Sequence, residues 1–160
     1  MLYTCRYQAP FSGITLASDG VSLTGLWLDG QKRRPDALLA SASGGEDIAV
    51  LRSAAAWLDR YFAGLKPDIG ELALAPAGTA FQRAVWKLLC NIPYGEVMTY
   101  GEIAARLPGR TSPRAVGGAV GRNPISIIIP CHRVVGADGS LTGYAGGLEA
   151  KKKLLALEAR

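Results

Sequence analysis

The chain has 160 residues, of which 49% are hydrophobic, and it carries 18 Lys and Arg against 13 Asp and Glu. This apolar content is enough for a core and excludes a wholly disordered chain, and no apolar run reaches the ~18–20 residues that a membrane helix needs. Three widely spaced cysteines and one histidine exclude a disulfide framework, and we expect no metal site. Because the N-terminal stretch MLYTCRYQAPFSG lacks the apolar core of a signal peptide, we expect a cytoplasmic protein.

The charged residues are divided unevenly along the chain. Residues 1–79 hold 7 basic and 8 acidic side chains, whereas residues 80–160 hold 11 basic and 5 acidic ones. A basic excess confined to one half is typical of a phosphate-binding surface. The alternative is an ordinary solvated surface with more Lys and Arg than Asp and Glu, and charge alone leaves both interpretations open.

The first half has the signals of a small α+β domain. Three β-rich segments broken by Gly, Pro and Asp predict strands within residues 2–28, and a polar loop follows over 29–45. Residues 46–62 have helical spacing of apolar side chains, and ELALA at 71–75 predicts another strand. The apolar stripe of the predicted helix consists of Ile48, Leu51, Leu58, Tyr61 and Phe62. The breaker Pro76-Ala77-Gly78 predicts a domain boundary, so that residues 1–78 form a scaffold domain without a catalytic constellation.

A helix opens the second domain, which we expect to span residues 79–160. Thr79 and Gln82 have the spacing of a capping box, which predicts a helix start at this point. The helix should stop near Asn91, because Pro93-Tyr94-Gly95 cannot continue it. Its predicted apolar face consists of Phe81, Val85, Leu88 and Leu89.

Residues 99–122 have the outline of a helix-turn-helix. Thr99 and Glu102 form a second capping box, and Pro108-Gly109 ends the short helix that it opens. Ser112-Pro113 combines an N-cap residue with proline at the first helical position, and Asn123-Pro124 terminates the second helix. Two short helices joined by a tight connection are typical of DNA-binding proteins, although they also occur in proteins that bind no DNA.

The second of these helices is rich in glycine. Gly117, Gly118 and Gly121 each cost a helix about 1 kcal/mol relative to alanine. Small residues allow another surface to approach the backbone closely, and Arg114 and Arg122 lie on the same helix. That surface is either nucleic acid or a neighbouring helix, and the spacing leaves both open.

A candidate nucleophile follows an apolar run. ISIIIP at 125–130 predicts a buried strand, Cys131-His132-Arg133 comes directly after it, and a glycine-rich loop and a C-terminal helix complete the chain. A histidine activates a neighbouring thiol only if the chain turns there or a water joins them, because neighbours on a strand point to opposite faces. Glu158 and Glu149 are the candidates for orienting the imidazole. The alternative is a small buried cysteine beside a structural histidine.

These motifs together resemble those of the O6-alkylguanine-DNA alkyltransferases. The segment NPISIIIPCHRV at 123–134 is similar to the active-site signature of that family. Further matching segments are FQRAVW at 81–86, YGEIA at 100–104, RAVGGA at 114–119, GYAGG at 143–147 and LLALE at 154–158. The resemblance covers residues 79–159 in order, whereas the first half fits only loosely the variable α+β domain of such proteins.

The resemblance implies the DNA repair activity of a methylated-DNA–protein-cysteine S-methyltransferase. The protein would bind double-stranded DNA, flip out an O6-alkylguanine and transfer the alkyl group irreversibly to Cys131, once per molecule and without a cofactor. In the family pattern, His132 accepts the thiol proton through a water and Glu158 orients the imidazole. Tyr100 crowds the target phosphate and delivers a proton to the guanine, and Asn123 ties the second helix to the active-site loop.

The same resemblance implies the contacts to DNA and to the flipped base. Arg114 matches the arginine that fills the gap left in the duplex, and the small-residue helix would lie in the minor groove. The other residues expected to bind DNA are Tyr100, Ala115, Gly118 and Arg122. The residues expected to form the base pocket are Val120, Val134, Tyr144 and Ala145. Ser126 departs from the pattern, because some members have a pocket-lining proline there.

We therefore expect an α+β fold, with a small N-terminal α+β domain and a mainly helical C-terminal domain that contains a helix-turn-helix and a buried active-site cysteine. We expect it to act as a monomer on DNA that contains O6-alkylguanine, without a membrane partner. Two alternatives share these features, a lesion-recognition module without chemistry and a helix-turn-helix regulator switched by its thiol. A thiol protease would also use Cys and His, but the basic glycine-rich helix has no role in one.

Overall fold

The computed structural model describes every residue from Met1 to Arg160. Its first half contains a sheet of four strands, β1 (Tyr3–Gln8), β2 (Gly13–Ser18), β3 (Leu23–Leu28) and β4 (Ser43–Gly44). β1 and β3 pair antiparallel with β2, and the short β4 pairs parallel with β1, which gives the order β3-β2-β1-β4. The three strands predicted within residues 2–28 are confirmed, because short turns between them allow consecutive strands to form hairpins.

One long helix covers this sheet. Helix α2 (Ala49–Phe62) confirms the helix predicted over 46–62, and it buries Leu51, Trp57, Leu58 and Tyr61. The loop predicted over 29–45 also contains β4 and a short helix, α1 (Asp36–Ala40). Because α1 buries none of its residues, it has no amphipathic pattern that sequence analysis would detect.

The strand predicted over 71–75 is wrong. A 3₁₀ helix occupies Ile69–Glu71, and only Leu74 forms a bridge to β3, at Leu23. The next part of the same edge of β3 pairs instead with the segment around Ile125. A longer strand here would therefore lack a partner for its backbone hydrogen bonds.

The second half contains four α-helices. They are α3 (Ala80–Leu89), α4 (Tyr100–Arg106), α5 (Pro113–Gly121) and α6 (Leu148–Glu158). The capping boxes predicted at Thr79 and Thr99 are both formed, and the Ser112 side chain caps α5. Helices α4 and α5 pack against each other, which confirms two helices joined by a short connection. Their use as a DNA-binding helix-turn-helix stays a prediction.

The apolar face predicted for α3 is partly wrong. Phe81 is 38% exposed, whereas the helix buries Val85, Trp86 and Leu89. Trp86 also donates from its indole N–H to the Ala119 carbonyl at 2.8 Å, which fixes α3 against α5. Helical spacing alone did not resolve which edge of the apolar stripe faces the core.

The apolar run before Cys131 forms a buried turn instead of the predicted strand. The Ile129 N–H donates to the Ile125 carbonyl at 3.1 Å, and Ile127 has a φ of 70°. The left-handed region is strained for a β-branched residue, so the surrounding core must hold this conformation. Hydrogen bonds from the Asn123 side chain occupy backbone groups that a strand would offer to a neighbour.

A short parallel pair of strands connects the start of α4 to the segment that follows the turn. β5 (Met98–Thr99) pairs with β6 (Val134–Val135), and a 3₁₀ helix, Cys131–Arg133, leads directly into β6. The first residue of α4 is therefore held beside the segment that carries the cysteine.

One apolar core extends through both halves, with Leu16 and Leu58 from the first half and Val85 and Ile128 from the second among its members. The domain boundary at residue 78 stays a prediction. None of the helices combines the length and the apolar character that crossing a bilayer requires.

Candidate active site

Cys131 begins the 3₁₀ helix and is only 4% exposed. The turn before it is organised by Asn123, whose Oδ1 accepts from the Ile125 N–H at 3.0 Å and whose Nδ2 donates to the Ile129 carbonyl at 2.8 Å. Asn123 follows α5 by two residues, so its side chain links that helix to the turn that carries the thiol. The chain also turns at Cys131, so the objection that strand neighbours face opposite sides does not apply.

His132 and Glu158 form a buried pair. The His132 Nε2 atom lies 2.5 Å from Glu158 Oε2, and the two side chains are 0% and 1% exposed. Glu149, the other carboxylate considered, is exposed and faces Lys152. The Nδ1 atom of His132 is buried without a protein partner. With Nε2 donating to the carboxylate, Nδ1 is the ring nitrogen that can accept a proton.

The Glu158 carboxylate receives more donors than the sequence indicated. Arg133 donates from Nε to Oε1 at 2.7 Å and from Nη2 to Oε2 at 3.1 Å. Tyr61, on α2, donates its hydroxyl to Oε2 at 2.5 Å, and the Gly95 N–H donates to Oε1 at 3.3 Å. Sequence analysis placed Tyr61 on the apolar stripe of α2, which hid the polar role of its hydroxyl.

These contacts set the protonation of the site. Burial acts to raise the pKa of Glu158, but hydrogen bonds from His132 and Arg133 outweigh it and hold that pKa well below its usual range. Burial lowers the pKa of His132, and the hydrogen bond to Glu158 only partly opposes this. Burial also raises the pKa of the Cys131 thiol, against the effects of Asn123 and of the Lys151 charge. The resting site therefore holds a thiol, a neutral imidazole and a carboxylate.

Lys151 is a further group that sequence analysis missed. Its side chain is fully buried, and its ammonium donates to the carbonyls of Val134 at 2.6 Å and Thr142 at 3.3 Å. Burial lowers its pKa. Lys151 ties the glycine-rich loop to the strand that follows Cys131. With Arg133, it is one of two basic residues that counted toward the charge of the second half but lie in the interior.

Tyr100 lies between the two helices and the glycine-rich loop. Its hydroxyl hydrogen-bonds with the Thr142 Oγ1 at 2.7 Å. Its ring lies beside Gly117 of α5, where an added Cβ would be 3.6 Å from the ring. This is an ordinary van der Waals distance, so the Tyr100 ring lies against Gly117 but does not by itself require a glycine there. The Tyr100 hydroxyl therefore already has one hydrogen-bond partner in the glycine-rich loop.

The four residues of α5 and its C-terminus that were expected to bind DNA are all exposed. They are Arg114, Ala115, Gly118 and Arg122. The buried residues of the same helix are Val116, Ala119 and Val120. An added Cβ at Gly118 would meet no atom within 4 Å. Internal packing therefore does not account for Gly118.

The residues expected to form the base pocket differ in exposure. Val120 and Val134 are buried, Tyr144 is 9% exposed and Ala145 is half-buried. The Tyr144 hydroxyl is buried and has no hydrogen-bond partner in the protein. Burial raises the pKa of Tyr144, and the neighbouring Cys131 and Ser126 side chains also act on it.

A cavity of about 340 Å³ lies beside the expected pocket residues. It is lined by the glycine-rich segment 143–148 together with Gly30 and Lys32, and Cys131 does not line it. The Lys32 N–H donates to the Ala145 carbonyl at 3.0 Å, so the first half of the chain also holds this segment.

Comparisons with known proteins agree with this geometry. A family described as 6-O-methylguanine DNA methyltransferase, DNA binding domain, matches residues 80–160. The methylated-DNA–protein-cysteine methyltransferase of Methanosarcina barkeri is 49% identical over 158 residues, which cover 98% of this chain and 97% of the relative. The O6-methylguanine methyltransferase structure from Mycobacterium tuberculosis is 42% identical, with a TM-score of 0.85 and coverage of 99% and 93% of the two chains. The structure of Mycobacterium tuberculosis OGT in complex with DNA has a TM-score of 0.83 at 42% identity, over 99% and 92% of the two chains. The chain therefore belongs to the methylated-DNA–protein-cysteine methyltransferase family.

Proposed function

We propose that this protein repairs DNA by transferring the alkyl group of O6-alkylguanine irreversibly to Cys131. The observation that carries the proposal is the buried pair of His132 and Glu158 directly beside the cysteine, with one imidazole nitrogen left free. The name shared by the relatives describes the same chemistry, with a protein cysteine as the methyl acceptor. Because the thioether formed at Cys131 is stable, each molecule reacts once.

The protonation state of the site explains how the thiol is activated. A water that hydrogen-bonds both the thiol and the free Nδ1 of His132 would carry the proton to the imidazole, and Glu158 stabilises the imidazolium that results. The sulfur then attacks the alkyl carbon, and the bond between that carbon and O6 breaks. The leaving guanine takes a proton from the Tyr100 hydroxyl, which recovers one from His132 through solvent. In the net reaction the thiol proton replaces the alkyl group on guanine.

The reaction requires the damaged nucleotide to leave the duplex. A substituent on O6 is enclosed within stacked bases, and a buried sulfur reaches it only after the base is flipped. We propose that Arg114 enters the gap, because its side chain is exposed on α5 and a guanidinium can stack and hydrogen-bond at once. The exposed Ala115 and Gly118 then allow α5 to approach the minor groove, and Arg122 binds the backbone.

The flipped base would be held by residues on both sides of the thiol. Val120 and Val134 provide apolar contacts, and the backbone around Tyr144 and Ala145 reads the edge of the base. The Tyr144 hydroxyl supports this role, because it lies beside Cys131 and makes no hydrogen bond of normal geometry in the protein. The hydrogen bond of Tyr100 to Thr142 would open at the same time. The protein is proposed to act as a monomer, without a cofactor.

The surface charge supports DNA as the partner. Of the 11 basic side chains in residues 80–160, Arg133 and Lys151 are buried, and the other basic side chains remain at the surface. Basic side chains bind phosphates and release counterions, so the affinity for DNA should fall steeply with salt. Because its substrate is chromosomal DNA, we propose that the protein acts in the cytoplasm, the compartment that holds DNA in bacteria and archaea such as its relatives.

Mass spectrometry tests the proposal directly. The protein is mixed with a duplex that contains one O6-methylguanine, and the intact mass and the peptide masses are measured. We expect one added methylene on the peptide that contains Cys131, with no more than one per molecule and none with an undamaged duplex. A protein that binds the damaged duplex and remains unmodified would be a lesion-recognition module, and the proposal would be wrong.

A further inference from the structure

We propose that Tyr61 is a positioning residue for the alkyl transfer, because its hydroxyl holds the Glu158 oxygen that orients His132. The inference rests on the proposed function, and it assigns the first half of the chain a direct part in the chemistry. Tyr61 lies on α2, 97 residues away from Glu158 in the sequence. The Tyr61 hydroxyl thus connects the first half of the chain to the Glu158 carboxylate.

The geometry concentrates three donors on one oxygen. Glu158 Oε2 lies 2.5 Å from the Tyr61 hydroxyl, 2.5 Å from His132 Nε2 and 3.1 Å from Arg133 Nη2. A carboxylate oxygen that accepts several hydrogen bonds has its direction and its charge density fixed by all of them. Since His132 and Tyr61 donate to the same atom, removal of one donor must change the hydrogen bond of the other.

The Tyr61 ring is held rigidly, so its hydroxyl has one position. The residue is 1% exposed, and its ring stacks on Trp57 with 5.5 Å between centroids and an interplanar angle of 8°. Phe62 and Tyr94 contact it edge-on, at centroid distances of 5.1 and 5.9 Å. The Trp57 indole N–H is in turn anchored to the Asp68 carbonyl at 2.9 Å. This aromatic cluster, with Trp57, Tyr61 and Phe62 from the first half and Tyr94 from the second, therefore holds the hydroxyl that contacts the Glu158 oxygen.

The charges around His132 and Glu158 determine whether the pKa of His132 rises or falls when the Tyr61 hydroxyl is removed. The ionisable groups that interact with His132 or Glu158 are Tyr61 on α2, Tyr94 after α3, Arg133 beside His132, Tyr144 in the glycine-rich loop and Lys151 on α6. Of these, the Tyr61 hydroxyl is neutral and withdraws charge density from the carboxylate that supports the imidazolium. Without it, the carboxylate attracts the proton on His132 more strongly, and the pKa of His132 rises.

A single histidine makes this pKa measurable. His132 is the only histidine in the chain, so ¹⁵N-histidine labelling reports on this imidazole alone. The test compares Tyr61→Phe with Tyr7→Phe. Tyr7 is a matched control from the same half, because its hydroxyl donates to a different carboxylate, Asp59, at 2.7 Å in an exposed contact.

We expect wild-type His132 to carry its proton on Nε2 and to titrate below the usual range for histidine. In Tyr61→Phe, we expect the pKa of His132 to rise by about 0.5–1 unit. At pH values below the wild-type pKa, the fraction of neutral imidazole then falls about three- to tenfold, and the rate of alkylation by free O6-benzylguanine should fall by the same factor. The rate with a damaged duplex should fall by the same factor, with unchanged affinity for DNA. Tyr7→Phe should match the wild type in all three measurements.

Two outcomes would overturn the inference. One is a Tyr61→Phe protein whose histidine titration and rate profile overlay those of the wild type, and the other is an equal shift in Tyr7→Phe. The NMR titration observes the folded molecules, so a loss of stability in Tyr61→Phe does not obscure it. If wild-type protein transferred no alkyl group to Cys131, the proposed function would fail, while the titration would still report whether Tyr61 acts on His132.

Discussion

Gly118 offers the sharpest test of how α5 meets DNA. It lies inside the helix Pro113–Gly121, it is exposed, and a Cβ added there has no neighbour within 4 Å. Glycine inside a helix is destabilising, and here no internal contact requires it. The proposed approach of α5 to the minor groove gives this glycine a function, because a side chain at this position would stand between the helix and the DNA.

A substitution at Gly118 should change stability and DNA affinity in opposite directions. Alanine in place of a helical glycine stabilises a protein by about 1 kcal/mol, which raises Tm by about 2–4 °C for a chain of this size. A larger side chain holds the backbone away from the groove. Losing one hydrogen bond to a charged phosphate costs about 1.5–3 kcal/mol, so the affinity should fall about tenfold or more. Gly118→Ala should therefore be more stable than the wild type, and Gly118→Leu should bind duplex DNA much more weakly.

Three measurements separate these effects. Thermal unfolding gives the stability, fluorescence anisotropy gives the affinity for a damaged duplex, and the alkylation rate with free O6-benzylguanine reports on the active site. Ala56→Leu is the control, because Ala56 is an exposed residue within α2 of the first half and receives comparable bulk. We expect Gly118→Leu to keep the rate with the free base while it loses duplex binding, and Ala56→Leu to keep both.

The reasoning would be refuted by a Gly118→Leu protein that binds duplex DNA as tightly as the wild type. In that case α5 would not approach DNA closely, and the open space around Gly118 would have no functional meaning. A Gly118→Ala protein less stable than the wild type would contradict the structural part of the argument, since it would show that the Cβ meets an obstruction.

Three further predictions concern the site and its pH dependence. Cys131→Ser should abolish alkyl transfer, as measured by intact mass, and leave duplex binding largely intact; loss of both together would count against the role assigned to the thiol. Arg114→Ala should slow repair of duplex DNA more than reaction with free O6-benzylguanine, and equal losses would contradict its role in flipping. Because the pKa of Glu158 is lowered in the folded state, its contribution to the free energy of unfolding is present above the ordinary value of 4.5 and lost as the pH falls below it. Urea unfolding should therefore show a shallower acid loss of stability in Glu158→Gln than in the wild type.

Local signals in the sequence were sufficient for much of the fold. The capping boxes at Thr79 and Thr99 join residues three apart, so their hydrogen bonds depend on nearby backbone alone. The strands within residues 2–28 follow from alternating β-rich segments and turn residues, which are equally local. The motif around Cys131 also indicated the family before any contact was known.

Contacts between residues far apart in the sequence determined the segments that sequence analysis misassigned. ISIIIP has the composition of a buried strand, but side-chain hydrogen bonds from Asn123 and the shared edge of β3 bend it into a turn. Phe81 and ELALA were misassigned for the same reason, because burial and pairing depend on which other segments occupy the neighbouring space.

The sequence by itself determined the secondary structure of the local segments, and it identified Cys131 as the candidate nucleophile with His132 beside it. Only the tertiary structure placed the Glu158 carboxylate against His132, buried Lys151 and Arg133 in a half with a basic excess, and brought Tyr61 to the carboxylate. These contacts join residues up to 97 positions apart. Residue type and local spacing do not predict such long-range contacts, because these contacts depend on how the helices pack around one shared core.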